Sequence, residues 1–265
     1  DFMIVFFFFF VCFAASTVGA LVGAGGGVII KPVLDMVGVL PVSTVSFFSG
    51  CTVLAMSVCS LIRTRKNGVP LRIRISTTLA IGAVFGGLCG QMLFEQVKTG
   101  FSNEAVLGFT QALCLMLATL AVLLYVLFKK KIRTLEMDHL MVIFLIGLFL
   151  GLISAFLGIG GGPLNVVVLF YFFSMDAKEA AKNSIYIILF SQTASLIRAL
   201  YRGTIPDFKK SYLLAMMMGG VAGALVGAAI SKRIQNRGVE RAFNLLLLVI
   251  IGVCTYNVYR FARLL

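Results

Sequence analysis

The sequence predicts an all-α, polytopic integral membrane protein of about eight transmembrane helices, in two homologous halves with helices broken at two glycine motifs. Three observations lead there. Of 265 residues, 60% are hydrophobic and the mean hydropathy is +1.04, outside the range of a soluble domain. The apolar residues gather in runs of membrane length, since about 20 residues rising about 1.5 Å each cross about 30 Å of hydrocarbon. The chain also matches itself at an offset of 135 residues. Gly23-Ala24-Gly25-Gly26-Gly27 answers to Gly158-Ile159-Gly160-Gly161-Gly162, and Ser60-Leu61-Ile62-Arg63 answers to Ser195-Leu196-Ile197-Arg198.

The first apolar run, 2–22, is too aromatic at Phe6 to Phe10 and too long for a cleaved leader, so it predicts a first span. The run 28–39 follows the first glycine motif and is too short to cross alone. It belongs with the run before it, as a broken or re-entrant helix. Runs 42–62, 75–94 and 105–128 complete a first repeat, 1–137. The second repeat, 138–265, holds runs 140–157, a short 164–174 after its own glycine motif, 183–200, 211–230 and 242–259. Gly82, Gly86 and Gly90 align with Gly219, Gly223 and Gly227 at offset 137. Glycine at every fourth position predicts close helix packing.

Counting each broken pair as one crossing gives four spans per half, which makes the repeats parallel; an odd count would invert them. On that count, loops 63–74, 129–139 and 198–210 share a face with both ends of the chain and hold most of the 23 basic residues, which predicts a cytoplasmic face. The loop 231–241, with Lys232, Arg233, Arg237 and Arg241, spoils the pattern unless a re-entrant segment shifts the count.

Charge and composition narrow the function. The net charge of +13 resides in short clusters between apolar runs, as expected for lipid headgroups and membrane orientation. The partners predicted are therefore the lipid bilayer and a small solute, and no nucleic acid. The ten acidic residues read as span ends or loops, and the single histidine, His139, stands at a span end. That disfavours a buried proton relay, a metal site and general acid–base chemistry, so neither enzyme activity nor a cofactor is expected. The six cysteines lie in apolar runs without metal spacing and read as core residues.

Within the membrane, backbone and neutral polar groups remain. Glycine runs can expose successive N–H groups, and a half-helix starting there turns its positive dipole end toward the break. Pro163 suits a first helical turn. Two such ends meeting at mid-depth would bind a small anion, and matching breaks in a duplicated fold point to a transporter site. Asn165, Asn183, Ser184 and Ser49 supply neutral donors, with Ser49 and Ser184 equivalent at offset 135. Arg63 and Arg198 end their spans at duplicated positions, suited to gating or to attracting an anion.

The doubled glycine motif, with Pro32-Val33-Leu34 after the first copy and Pro163-Leu164 after the second, resembles that of the TauE/SafE family of sulfite exporter-like permeases, the TSUP transporters. The resemblance implies a multi-pass permease of the cell membrane that moves sulfite or an organosulfonate, with export expected. It places anion contacts at Gly25, Gly26, Gly27, Gly160, Gly161 and Gly162. Many relatives carry a Gly-Thr-Ser stretch on the next span, where this chain reads Phe48-Ser49 and Asn183-Ser184, keeping only the serine. A small-anion channel is the alternative, and a homo-oligomer is left open.

Overall fold

A computed structural model describes residues 2–65, 67–100, 104–159, 161–203, 205–206 and 208–264, and only the backbone of Lys98, Thr99, Glu104 and Lys130. Among the described residues the structure is all-α. The helices are α1 (Phe2–Val22), α2 (Gly27–Val37), α3 (Val42–Thr64), α4 (Ile73–Gly100), α5 (Glu104–Phe128), α6 (Leu140–Leu157), α7 (Gly162–Phe173), α8 (Ala177–Arg202), α9 (Lys210–Arg233) and α10 (Asn236–Ala262). Eight are long and apolar enough to cross a bilayer. The other two, α2 with 11 residues and α7 with 12, reach only about half way at about 1.5 Å per residue.

Contacts at the helix ends sort them onto two faces. On one, Phe8 of α1 meets Tyr212 of α9 edge-on, and Phe48 of α3 meets Phe208. There Arg260 of α10 donates to the Asp35 and Met36 carbonyls of α2, and Val42, Ala105 and Phe261 pack together. On the other face, Arg72 ahead of α4 donates to Glu179 of α8 and to the Phe173 carbonyl of α7. Lys129 after α5 pairs there with Glu240 of α10 at 2.6 Å.

These contacts fix the direction of the short helices. Gly26 lies beside Ser16, whereas Leu34 packs with Phe8 and Cys12, so α2 runs antiparallel to α1 and returns to the face α1 came from. In the same way α7 turns back along α6. The expected single crossing for each broken pair is thereby corrected: the long helix crosses and the half-helix folds back. The physical cause is the left-handed backbone at Gly23 (φ +76°) and Gly25 (φ +68°), and at Gly158 (+68°), Gly161 (+116°) and Gly162 (+57°). A side chain at those angles would be strained, and glycine takes them without cost to sterics.

The reversal also rearranges the charges. The clusters at 63–65, 72–74, 129–133, 178–182 and 232–241 now share one face, called the basic face below. Arg198, Arg202, Lys209 and Lys210, expected with the basic loops, move to the opposite face. The loop 231–241 ceases to be an exception, and by the excess of Lys and Arg the basic face is the one expected to be cytoplasmic.

Lateral packing rests on the glycine stripes. A Cβ at Gly82, Gly86 or Gly90 of α4 would run into the carbonyls of Phe144, Leu148 and Leu152 on α6. On α9, Gly219, Gly223 and Gly227 stand against the carbonyls of Phe9, Phe13 and Thr17 on α1. Each long helix that precedes a break is thus clamped by a glycine-striped helix, α1 by α9 and α6 by α4.

Candidate functional site

The two breaks meet in the interior. A Cβ at Gly27 would lie 2.8 Å from the Ile159 carbonyl oxygen, and one at Gly162 would lie 3.4 Å from that of Ala24 and 3.3 Å from Val28 Cβ. Helices α2 and α7 begin here and run to opposite faces, so their N-termini converge with no side-chain cap on either. Both ends direct a partial positive charge at the same small region.

The predicted site residues divide into groups. Gly25, Gly26, Gly27, Gly161 and Gly162 are buried at the junction, and Gly160 lies outside the described residues. Asn165 is buried one turn into α7, with its amide against the position a Gly161 Cβ would take. Ser49 is buried with its hydroxyl unpartnered, 2.9 Å from where a Gly27 Cβ would stand. Ser184 donates to the Gly23 carbonyl at 2.6 Å, so it holds the first break in shape.

Asn183 is placed elsewhere. Its carbonyl accepts from the Arg72 N–H at 2.9 Å and from Ser76, and its amide donates to the Glu179 carbonyl at 2.8 Å. It ties the α3–α4 connection to α8 at the basic face. The two arginines, equivalent in sequence, also part company. Arg63 is exposed on the basic face, whereas Arg198 is buried, donates to the Leu88 carbonyl and pairs with Glu95 at 3.2 Å.

Apolar side chains close the junction itself. Ile188 reaches within 3.2 Å of the Cβ positions of both Gly25 and Gly161, and Val53 lies 2.9 Å from that of Gly27. Both are fully buried. They stand 135 positions apart, the offset of the glycine motifs.

Beside this plug lies a cavity of about 390 Å³. It extends from Gly158 at the second break to Arg198 and Pro206 on the face opposite the basic one. Its walls carry Ser43, Ser46, Gln91, Gln111, Ser154, Gln192 and Ser195. Gln91 donates to Ser195, and Gln111 donates to the Phe156 carbonyl at 2.8 Å. The Ser154 hydroxyl and the Gln111 carbonyl oxygen are buried without partners. Hydroxyls and amides on the walls can donate to an oxyanion, while at the rim Arg198 is paired with Glu95, which also lines the cavity.

Sequence reasoning passed over Gln91, Gln111 and Ser154 because it followed only the span after each glycine run. Polar side chains in the spans 75–94, 105–128 and 140–157 were the available signal. It also gave no role to Lys31 or to Asp35, the latter read with the other acidic residues as a span end or loop. Lys31 and Asp35 lie on α2, 2% and 8% exposed, and form an ion pair at 2.9 Å. The reading of every carboxylate as unburied is corrected accordingly: Asp35 is interior, and Glu179 is buried against Arg72. Their spacing of four residues on a half-helix was the missed cue.

Eight helices long and apolar enough to cross a bilayer, two half-helices that turn back and meet, and a polar cavity beside their junction are the features of a multi-pass membrane transporter. The sequence model described as "Sulfite exporter TauE/SafE" matches residues 8–253, and the chain belongs to that family. It is 27% identical over 258 residues to "Probable membrane transporter protein YunE" of Bacillus subtilis (strain 168), covering 89% of this chain and 92% of that protein. It is 24% identical over 239 residues to "Probable membrane transporter protein YjnA" of the same organism, covering 84% and 90%. No solved structure matches the chain.

Proposed function

We propose that the protein exports a small sulfur-containing anion, sulfite or an organosulfonate, by alternating access at the junction of two inverted repeats, 1–137 and 138–265. The observation that carries the reading is the convergence of the α2 and α7 N-termini at glycine breaks, beside a cavity walled by neutral hydrogen-bond donors. Support for inversion comes from the order of the helices, since α1 and α6 start from opposite faces and each is followed by a half-helix that returns. The cavity reaches Gly158, at the start of the second break, from the non-basic face, and the Val53–Ile188 plug would close the path beyond it. Rocking of one repeat against the other would open the plug to the basic face. An interior-negative potential favours the exit of an anion by about 2.3 kcal/mol per charge per 100 mV.

Reconstitution in liposomes tests this. Sulfite inside the vesicles is expected to accelerate uptake of labelled sulfite, the signature of a carrier, whereas an ohmic current without exchange would mark a pore. The variant Gly161→Val, which meets Asn165 at a φ of +116°, is expected to insert normally and lose this exchange. If sulfite, thiosulfate, sulfoacetate, taurine and sulfate all fail to exchange or to stabilise the protein in detergent, the reading is wrong.

A further inference from the structure

Resting on that transport reading, we propose that Lys31 is the positive charge that meets the transported anion, and that Asp35 is its internal stand-in, holding the ammonium until substrate displaces it. The ion pair is embedded in α2, one turn beyond the junction of the breaks. A buried pair forfeits several kcal/mol of hydration, and ionisable groups inside a membrane domain rarely persist without a task. The scaffold does not need this one. At offset 135, the same positions of α7 read Val166 and Phe170, and that half-helix packs without any charge.

The pair is also placed for exchange. Lys31 Cε lies 3.2 Å from the Cβ position of Gly158, and Ser46 Oγ lies 2.9 Å from that same position. Gly158 and Ser46 both line the polar cavity, so the ammonium stands just behind its wall. Asp35 faces the other way. With Arg260 it lines a second cavity of about 380 Å³ that opens between α2, α3 and α10.

One oxygen of the Asp35 carboxylate accepts from Lys31, and the other is buried without a partner. The Arg260 guanidinium already sits beside Asp35, bonded to its carbonyl and that of Met36. When an anion takes Lys31, the freed carboxylate has Arg260 to turn to. The loaded carrier then holds two ion pairs, Lys31 with the anion and Asp35 with Arg260, where the empty one holds a single pair and an arginine on backbone carbonyls. Helices α1, α3 and α7 bring no charged side chain to the pair.

Three variants, with sulfite as the probe, separate this role from a structural one. Binding is read by thermal stabilisation in detergent and transport by exchange in liposomes. Lys31→Gln is expected to weaken sulfite binding about thirtyfold or more, the consequence of removing one partner of a buried charge pair. Asp35→Asn, which leaves the ammonium uncontested, is expected to tighten binding about tenfold and slow release. The double variant Lys31→Gln/Asp35→Asn removes both charges together and relieves the unpaired-charge penalty, so its melting temperature should lie above those of the single variants. It is expected to bind sulfite as poorly as Lys31→Gln alone. A double variant that binds and exchanges sulfite like the wild type would reduce the pair to a structural one and overturn the inference, leaving the transport reading intact. A wild-type protein that neither binds nor exchanges sulfite overturns the transport reading, and the role given to Lys31 with it.

Discussion

Ile188 decides whether the two breaks communicate. Its side chain fills the space between the Gly25 and Gly161 positions, and no part of it is exposed. An apolar constriction of this kind blocks ions by excluding water, without any charge of its own. Truncation to alanine leaves a void beside the glycine backbone of the two helix N-termini, a polar setting in which water can enter. Ile188→Ala is therefore expected to lower stability by about 2–5 kcal/mol if the void stays dry, as for other buried isoleucines. If the void wets, the cost is smaller and the protein leaks sulfite without exchange. A sulfite efflux assay on liposomes lacking external substrate checks this, and an unchanged rate would remove Ile188 from the path. The sequence did not single out this residue, because its apolar character matches dozens of lipid-facing neighbours. Only its place 135 residues from Val53 set it apart.

At the scale of elements, the glycine stripes fix which helices can touch. On α4, a methyl group at Gly86 would collide with the Leu148 carbonyl, and a backbone carbonyl cannot yield as a flexible side chain can. Gly86→Ala is expected to push α4 from α6 and lower the melting temperature in detergent. Gly252→Ala on α10, where a Cβ meets nothing within 4 Å, should leave it unchanged. Equal effects of the two substitutions would show that close approach is not what the stripe provides. The fourfold spacing made these contact faces legible in the sequence. It could not name the partner, since spacing defines one helix's face and says nothing of which neighbour lies against it. The pairing of α4 with α6 and of α1 with α9 came from the structure alone. The breaks themselves were legible for a firmer reason: a run of glycines followed by too few apolar residues to cross leaves the chain little choice.

For the whole molecule, the question the sequence left open was whether each half-helix continues through the membrane or turns back. No local residue pattern answers it, because glycine permits both. The charge distribution does not answer it either, because folding back brings one basic cluster onto the richer face and takes Arg198, Arg202, Lys209 and Lys210 off it. On four crossings per half the cluster at 232–241 stood on the wrong side, and with α2 and α7 folded back it joins the other basic clusters. The two counts make opposite predictions that labelling can separate. In a background lacking the six native cysteines, which all lie on helices, single cysteines are placed at exposed positions. Gly203→Cys and Arg263→Cys are expected to react with an impermeant maleimide on intact cells, and Lys131→Cys and Arg237→Cys only after lysis. The uninterrupted count instead puts positions 203 and 131 together and 237 opposite them. Reaction at 237 on intact cells, with 203 and 131 both protected, would restore the parallel arrangement. It would also separate the two half-helices' N-termini, and with them the anion site built on their convergence.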